Sequence, residues 1–139
     1  MANRFHLEII VPTSIYFNDD VDSVSVVTSD GVLTILAEHA DLIANIEISH
    51  LVIRQNGHLD NYAVSGGVLN IYQKENKVMM MVNAIESQDE IDYERANKAK
   101  DNAQKRLQEE ELSLREQQKT EIKLKRALNR LSLRDLTSH

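Results

Sequence analysis

The sequence predicts an α+β chain: an N-terminal β-sandwich of about ten short strands, then a C-terminal antiparallel helical hairpin. Three observations carry this reading. All four Gly residues and the only Pro lie at or before Gly67. Over the first 86 residues, apolar side chains alternate with polar ones or come in short runs, the pattern of strands. After Ser87 the apolar period lengthens to three and four, the period of a helix. The predicted domains are therefore residues 1–86 and 87–139.

The elements follow in order. Phe5, Leu7, Ile9 and Val11 alternate with Arg4, His6, Glu8 and Ile10 and predict a half-buried strand. Asp19, Asp20 and Asp22 read as a solvated acidic loop. Val24 and Val26 form a short alternation. Residues 32–36 are apolar except for one Thr, as in a strand buried on both faces. Ala44, Ile46 and Ile48 alternate with Asn45, Glu47 and Ser49. Residues 51–55 and 59–65 flank Asn56-Gly57, a type I′ hairpin signal because both turn residues take positive φ. Residues 68–72 and 78–82 flank a second hairpin loop at 73–77. Many short strands at close spacing mean a sandwich or barrel. About 85 residues suffice for such a core, burying roughly 60–65% of the unfolded surface.

Ser87-x-x-Glu90 has the form of a capping box, with Asp89 a competing N-cap. Glu90, Asp92 and Glu94 place negative charge where a helix dipole favours it. Ala96, Ala99, Ala103 and Leu107 then form one helical stripe. Being mostly Ala, it lets a partner helix approach closely but buries little area. Ile122 (or Leu124), Ala127, Leu128 and Leu131 form the stripe of a second helix. Residues 112–118 break the register and hold the turn. A hairpin with so narrow a stripe needs tertiary contacts to persist, so it is expected to dock or swing between arrangements.

Composition excludes several functions. Cysteine is absent, which removes disulfides, thiolate nucleophiles and thiolate metal sites. The sequence contains no apolar run of 18 residues or more, and the start of the chain has no signal-peptide or transit-peptide character. His6, His39, His50, His58 and His139 include no helical i, i+4 pair and no HExxH, so they read as surface or loop residues. The acidic triplet fails the calcium-loop pattern, having Ser25 and Gly31 where Gly and Glu belong. Gly66-Gly67 precedes a strand and lacks a phosphate-loop motif. No GxSxG or other catalytic constellation is present.

Net charge is −6. Residues 1–86 carry four basic and eleven acidic side chains, whereas residues 119–134 carry six basic and one acidic. The last helix is therefore basic on an acidic protein, which points to an anionic partner surface. Nucleic acid is disfavoured, because the whole chain is acidic and residues 119–134 carry no stacking aromatic.

Four segments carry a family resemblance. SDGVLTILAEHADLI at 29–43 is similar to a DGxxGILPGHAPLL segment. VSGGVL at 64–69 is similar to VSGGF(L/V), and VNAIE at 82–86 stands in place of ADxAE. EIDYERA at 90–96 matches (E/D)IDxxRA. LKRALNRL at 124–131 is similar to LxRALxRL. In this order and spacing they resemble the epsilon subunits of bacterial F-type ATP synthases over essentially the full length. The chain departs from the pattern at Thr34, Ala37, Glu38 and Asp41, which replace Gly, Pro, Gly and Pro. The loop around His39 is thereby more acidic, and its geometry is open.

The resemblance implies a non-catalytic rotor subunit, peripheral on the cytoplasmic face of the bacterial cell membrane and attached only through its complex. It implies a sandwich that binds the gamma subunit and the c-ring, with Asp30, Gly31, Glu38 and His39 at that interface. It also implies a hairpin that folds on the sandwich, or extends along gamma into the alpha/beta hexamer and inhibits ATP hydrolysis. Of the basic residues of the last helix, Lys123, Arg126 and Arg130 lie in or next to the matched segment and are the expected contacts to an acidic segment of beta. Some members bind regulatory ATP between sandwich and hairpin; the matching positions are Glu86, Asp92 and Arg95. Asp92 and Arg95 also read simply as an i, i+3 ion pair at a helix start. A further Arg of those members is Asn102 here. No metal or other cofactor is expected. Composition and periodicity alone fit a free-standing adaptor equally well.

Overall fold

A computed structural model describes residues 3–109 and 111–136. In them, eight strands precede two helices: β1 (Phe5–Val11), β2 (Ser14–Val21), β3 (Ser23–Thr28), β4 (Gly31–Ile35), β5 (Leu42–Gln55), β6 (His58–Tyr72), β7 (Lys77–Val82), β8 (Ile85–Ser87), α1 (Tyr93–Glu109) and α2 (Leu114–Ser132). The strand order is β2-β1-β7-β6-β5-β3-β4, with β8 also on β6. Only β1 and β7 pair in parallel.

The count is eight rather than about ten because two pairs of expected strands are continuous. β5 absorbs the stretches at 44–48 and 51–55, and β6 absorbs 59–65 and 68–72. Gly66-Gly67 bends β6 without ending it. Gly66 has φ +87°, and a Cβ on Gly67 would lie 2.2 Å from the Met81 carbonyl oxygen. Pairing with β5 nevertheless runs from Leu42↔Ile71 to Gln55↔His58. Beyond the bend β6 changes its other partner, from β8 at residues 62–64 to β7 at 67–72. The two long strands thus run through both layers. Leu7, Ile9, Val24, Ile35, Leu51, Ile53, Val64, Leu69 and Met80 are fully buried between them. Each such side chain contributes about 1.5–3 kcal/mol, so the sandwich has a core of its own.

Two strand expectations are corrected. Residues 32–36 do not form a strand buried on both faces. β4 ends the strand order, and Val32 is 77% exposed while only Ile35 is buried in the strand. A short apolar run has the same appearance at an edge as in a centre. Asp19 and Asp20 lie in β2 rather than in a loop, and Asp22 joins β2 to β3. Asp19 accepts from Gln55 Nε2 at 3.0 Å, and Asp20 Oδ1 lies 3.0 Å from His6 Nδ1. Their charge on an edge strand opposes pairing with another chain. His6 therefore lies on a strand, and the two neighbours Asp20 and Asn18 raise its pKa. His139 lies outside the described residues.

The helix boundaries are also sharpened. Ser87 and Glu90 do bond reciprocally, Ser87 N–H to Glu90 Oε1 at 2.8 Å and Glu90 N–H to Ser87 Oγ at 3.3 Å. They close a turn that precedes α1. The cap of α1 is Asp92, whose Oδ1 accepts from the Arg95 N–H at 3.0 Å and whose carbonyl accepts from Ala96. α2 starts at Leu114, inside the expected turn, because Ser113 Oγ accepts from the Glu116 N–H at 3.1 Å. The expected apolar stripe of α2 is met in part: Ala127 is buried, and Leu124 and Leu131 are half-buried. Thr120 and Ala127 are its buried residues, whereas Ile122 and Leu128 are exposed. Thr120 folds its hydroxyl onto the Glu116 carbonyl at 2.7 Å and so packs as a small residue.

Candidate functional site

The hairpin packs on the sandwich through α2, which touches β5 and β6. Two open cavities that share Ala99 and Arg130 lie at the hairpin, one reaching the end of β8 and the other within the hairpin itself. One, of about 380 Å³, is lined by Glu86, Asp92, Arg95, Ala96, Ala99 and Arg130. The other, of about 370 Å³, runs between α1 and α2 past Asn102, Ala103, Arg106, Thr120, Lys123 and Arg126. The small side chains keep the helices close, and the long basic ones leave the space between them unfilled.

The charges divide unevenly here. Arg130 Nε donates to Glu86 Oε1 at 2.6 Å, both side chains about two-thirds covered. The bond ties α2 to the end of β8. Arg126 Nε is buried without a hydrogen-bond partner. An unmet guanidinium N–H beside a cavity favours an anion, since leaving such a donor unsatisfied costs roughly 1–3 kcal/mol or more. Lys123 and Arg95 are exposed at the cavity rims. Asp92 uses a carboxylate oxygen to cap α1. The structure thus sets Glu86, Asp92, Arg95 and Arg130 around one cavity, and Lys123, Arg126 and Arg130 around its neighbour.

The remaining sequence-derived residues do not form a single cluster. Asp30 and Gly31 sit at the β3–β4 turn, where Thr28 Oγ1 donates to the Gly31 carbonyl at 2.9 Å. Glu38 and His39 follow β4, roughly 16 Å of extended strand away. Glu38 keeps a left-handed backbone, φ +62°, where the resembling segment has Gly. Its N–H donates to Asn76 Oδ1 at 2.7 Å and its carbonyl accepts from Gln73 Nε2 at 3.0 Å. These bonds hold the loop in the conformation a glycine would take.

Three features escaped the sequence. Arg106 joins the cavity; its spacing of eleven from Arg95, three helical turns, was the available signal. An apolar row crosses the sheet through Ile15↔Ile10↔Met81↔Val68, with Ile15 57% and Met81 49% exposed. The linker before α1 is also pinned: the Tyr16 hydroxyl donates to Glu90, and Tyr16 stacks edge-on to Tyr62 at 6.2 Å. Burial, then the Glu90 bond, pushes Tyr16 well above the usual phenol range. Burial pushes Tyr62 up to about 12. Glu90 is held below the usual carboxylate range, chiefly by the Tyr16 hydroxyl and then by the Ser87 N–H.

Comparison with known proteins matches both parts of the chain. Residues 4–88 match the family described as ATP synthase, Delta/Epsilon chain, beta-sandwich domain. Residues 89–133 match ATP synthase, Delta/Epsilon chain, long alpha-helix domain. The ATP synthase epsilon chain of Caldicellulosiruptor bescii is 38% identical over 130 residues, 94% of this chain and 93% of that protein. That of Desulforamulus reducens is 34% identical over 131 residues, covering 94% and 97%. Among solved structures, a chain of the Euglena gracilis mitochondrial ATP synthase, from an OSCP/F1/c-ring assembly, is similar with TM-score 0.79. It is 20% identical, with 91% of this chain and 78% of that chain covered. A chain from the central stalk/c-ring of the Tetrahymena thermophila mitochondrial ATP synthase has TM-score 0.69 at 13% identity, covering 95% and 97%. At those identities the likeness is one of fold.

Proposed function

This chain belongs to the ATP synthase delta/epsilon family, and on that premise we propose that it is an epsilon-type rotor subunit whose hairpin restrains ATP hydrolysis. It has no chemistry of its own in this reading. The sandwich (residues 1–86) docks on the gamma subunit and the c-ring, and the hairpin (residues 87–139) is the regulatory part. The chain sits peripherally at the cytoplasmic face of the membrane, held there by its complex; no helix among the described residues is long and apolar enough to cross a bilayer. The exposed row Ile15–Ile10–Met81–Val68 supports protein docking, because a contiguous apolar strip on a polar molecule marks an interaction surface. Asp30, Gly31, Glu38 and His39, bracketing β4, are the proposed contacts toward gamma and the c-ring.

The observation that carries the brake is the mode of docking. The end of α2 is held to the sandwich by a small apolar cluster of Ala63, Ile91 and Leu133 and by polar bonds from Asn129 and Arg130. Polar contacts exchange for water at a net cost of only about 1 kcal/mol each. Shifting the hairpin from mostly docked to mostly extended takes about 5.5 kcal/mol of differential affinity. Lys123, Arg126 and Arg130, freed from the cavity, supply cations for an acidic surface of beta. Charge reversal of all three tests this in the reconstituted complex. The reversal also removes the Arg130–Glu86 tie and so favours undocking. Relief of inhibition then reports lost contacts to beta, and unchanged inhibition sinks the proposal.

The two neighbouring cavities support a regulatory ATP in the docked form. Glu86, Asp92 and Arg95 line one, and Arg126 and Arg130 offer guanidinium donors to phosphate. Calorimetric titration of the isolated protein decides the matter: no heat at millimolar ATP eliminates the site.

A further inference from the structure

The linker between β8 and α1 does more than connect them. Gln88 is anchored to the sandwich, its N–H donating to the Asn61 carbonyl at 2.9 Å. Its side chain reaches the far end of the hairpin, 45 residues on. Nε2 donates one hydrogen to the Leu133 carbonyl at 2.6 Å and the other to the Leu136 carbonyl at 2.5 Å. Leu133 is the C-cap of α2 and is fully buried with Ile91 and Ala63. The Leu133 carbonyl also accepts from the Leu136 N–H at 3.3 Å, and Leu136 lies three residues past the cap. One carboxamide, offered by another segment, thus holds both sides of the turn that closes α2.

Neighbouring groups close the same junction. The Tyr93 hydroxyl donates to the Gln88 carbonyl at 2.9 Å, and the Arg134 guanidinium lies 5.4 Å over the Tyr93 ring. Both ends of the hairpin therefore converge on residue 88. The other fastenings of α2 lie one turn earlier, where Asn129 Nδ2 donates to the Ser49 carbonyl at 2.8 Å and Arg130 meets Glu86.

We infer that Gln88 is a clasp that fastens the turn closing α2 to the sandwich and controls release of the hairpin. Its partners are backbone carbonyls that water satisfies equally well once the helix lifts, so the clasp opens without leaving a buried orphan. It acts at the hinge, where a small opening carries the whole of α2. The clasp is a property of the isolated chain; its consequence in a complex rests on the hairpin reading above.

Gln88→Glu tests it, because a carboxylate of the same shape has no N–H and faces two carbonyl oxygens. Gln88→Ala removes the donors without adding repulsion. In hydrogen exchange on the full-length protein, residues 120–136 should exchange about tenfold faster in both variants, with β5 and β6 unchanged as evidence of an intact sandwich. Exchange of α2 within about twofold of the parent in both variants overturns the clasp. In the reconstituted complex, Gln88→Glu should strengthen inhibition of hydrolysis. Faster exchange with unaltered hydrolysis supports the clasp and counts against the inhibitory hairpin instead.

Discussion

Replacing Ala103 by Leu separates a hairpin that is loosely packed from one that is merely small-residue packed. Ala103 is 4% exposed and lines the 370 Å³ cavity between α1 and α2. Leu adds three carbons, worth about 0.8 kcal/mol each on full burial, for a ceiling of about 2.4 kcal/mol. The cavity is open and lined by cationic stems, which halves the gain; the helix-propensity loss is about 0.2 kcal/mol. About 1 kcal/mol remains, a factor of roughly five in the docked-to-undocked ratio. Exchange of α1 and α2 amides should slow by that factor. Ala127 is the contrast: it is 0% exposed and lines neither cavity. Ala127→Leu meets close packing and should cost about 1–3 kcal/mol, speeding exchange. Faster exchange in the Ala103 variant, or slower exchange in the Ala127 variant, would refute the assignment of free volume. The Ala103 variant should also lose ATP binding, because its side chain occupies the proposed ligand space.

Other consequences follow from single residues. Glu38→Gly should stabilise the sandwich by about 0.5 kcal/mol in denaturant titration: a left-handed non-glycine costs roughly 1–2 kcal/mol, while Gly gives back about 0.4–1 kcal/mol through the unfolded chain. Gly67→Ala should cost more than about 3 kcal/mol, because backbone rather than a flexible side chain blocks the new carbon. Tyr16→Phe should move the Glu90 carboxyl titration, followed by NMR, back up toward the ordinary range; a midpoint that stays low would exclude the hydroxyl as the cause. Since Glu90 is depressed in the folded state, its contribution is present above the ordinary carboxylate range and is lost as pH falls through the folded value. Acid should therefore loosen the linker, and at a higher pH in the Phe variant.

Much of this architecture was legible because local chemistry specifies it. Asn56-Gly57 forced a hairpin, the Gly-free run after Ser87 forced helices, and the Ala stripe forced a close helical pair. What was not legible depended on neighbours. Residues 32–36 gave the same apolar signal that a central strand gives, and only the strand order made them an edge. Gly66-Gly67 resembled a stop, yet pairing with β5 carried β6 through the bend. At the site, Asp92 and Arg95 were visible from their motif, but the use of Asp92 as a helix cap depended on where α1 begins. The Arg130–Glu86 bond spans 44 residues and the Gln88 clasp 45, so no local period could announce them.

The unbroken passage of β5 and β6 through both layers has a mechanical meaning. Sheets joined only by loops can slide over one another under load. Here a twist applied to one layer meets covalent backbone and a continuous ladder leading into the other, so the sandwich resists shear as a single stiff body. A load placed on either layer is therefore shared by both. The hairpin joins that body through a short stretch between β8 and α1 that is itself fastened at Gln88 and Glu90.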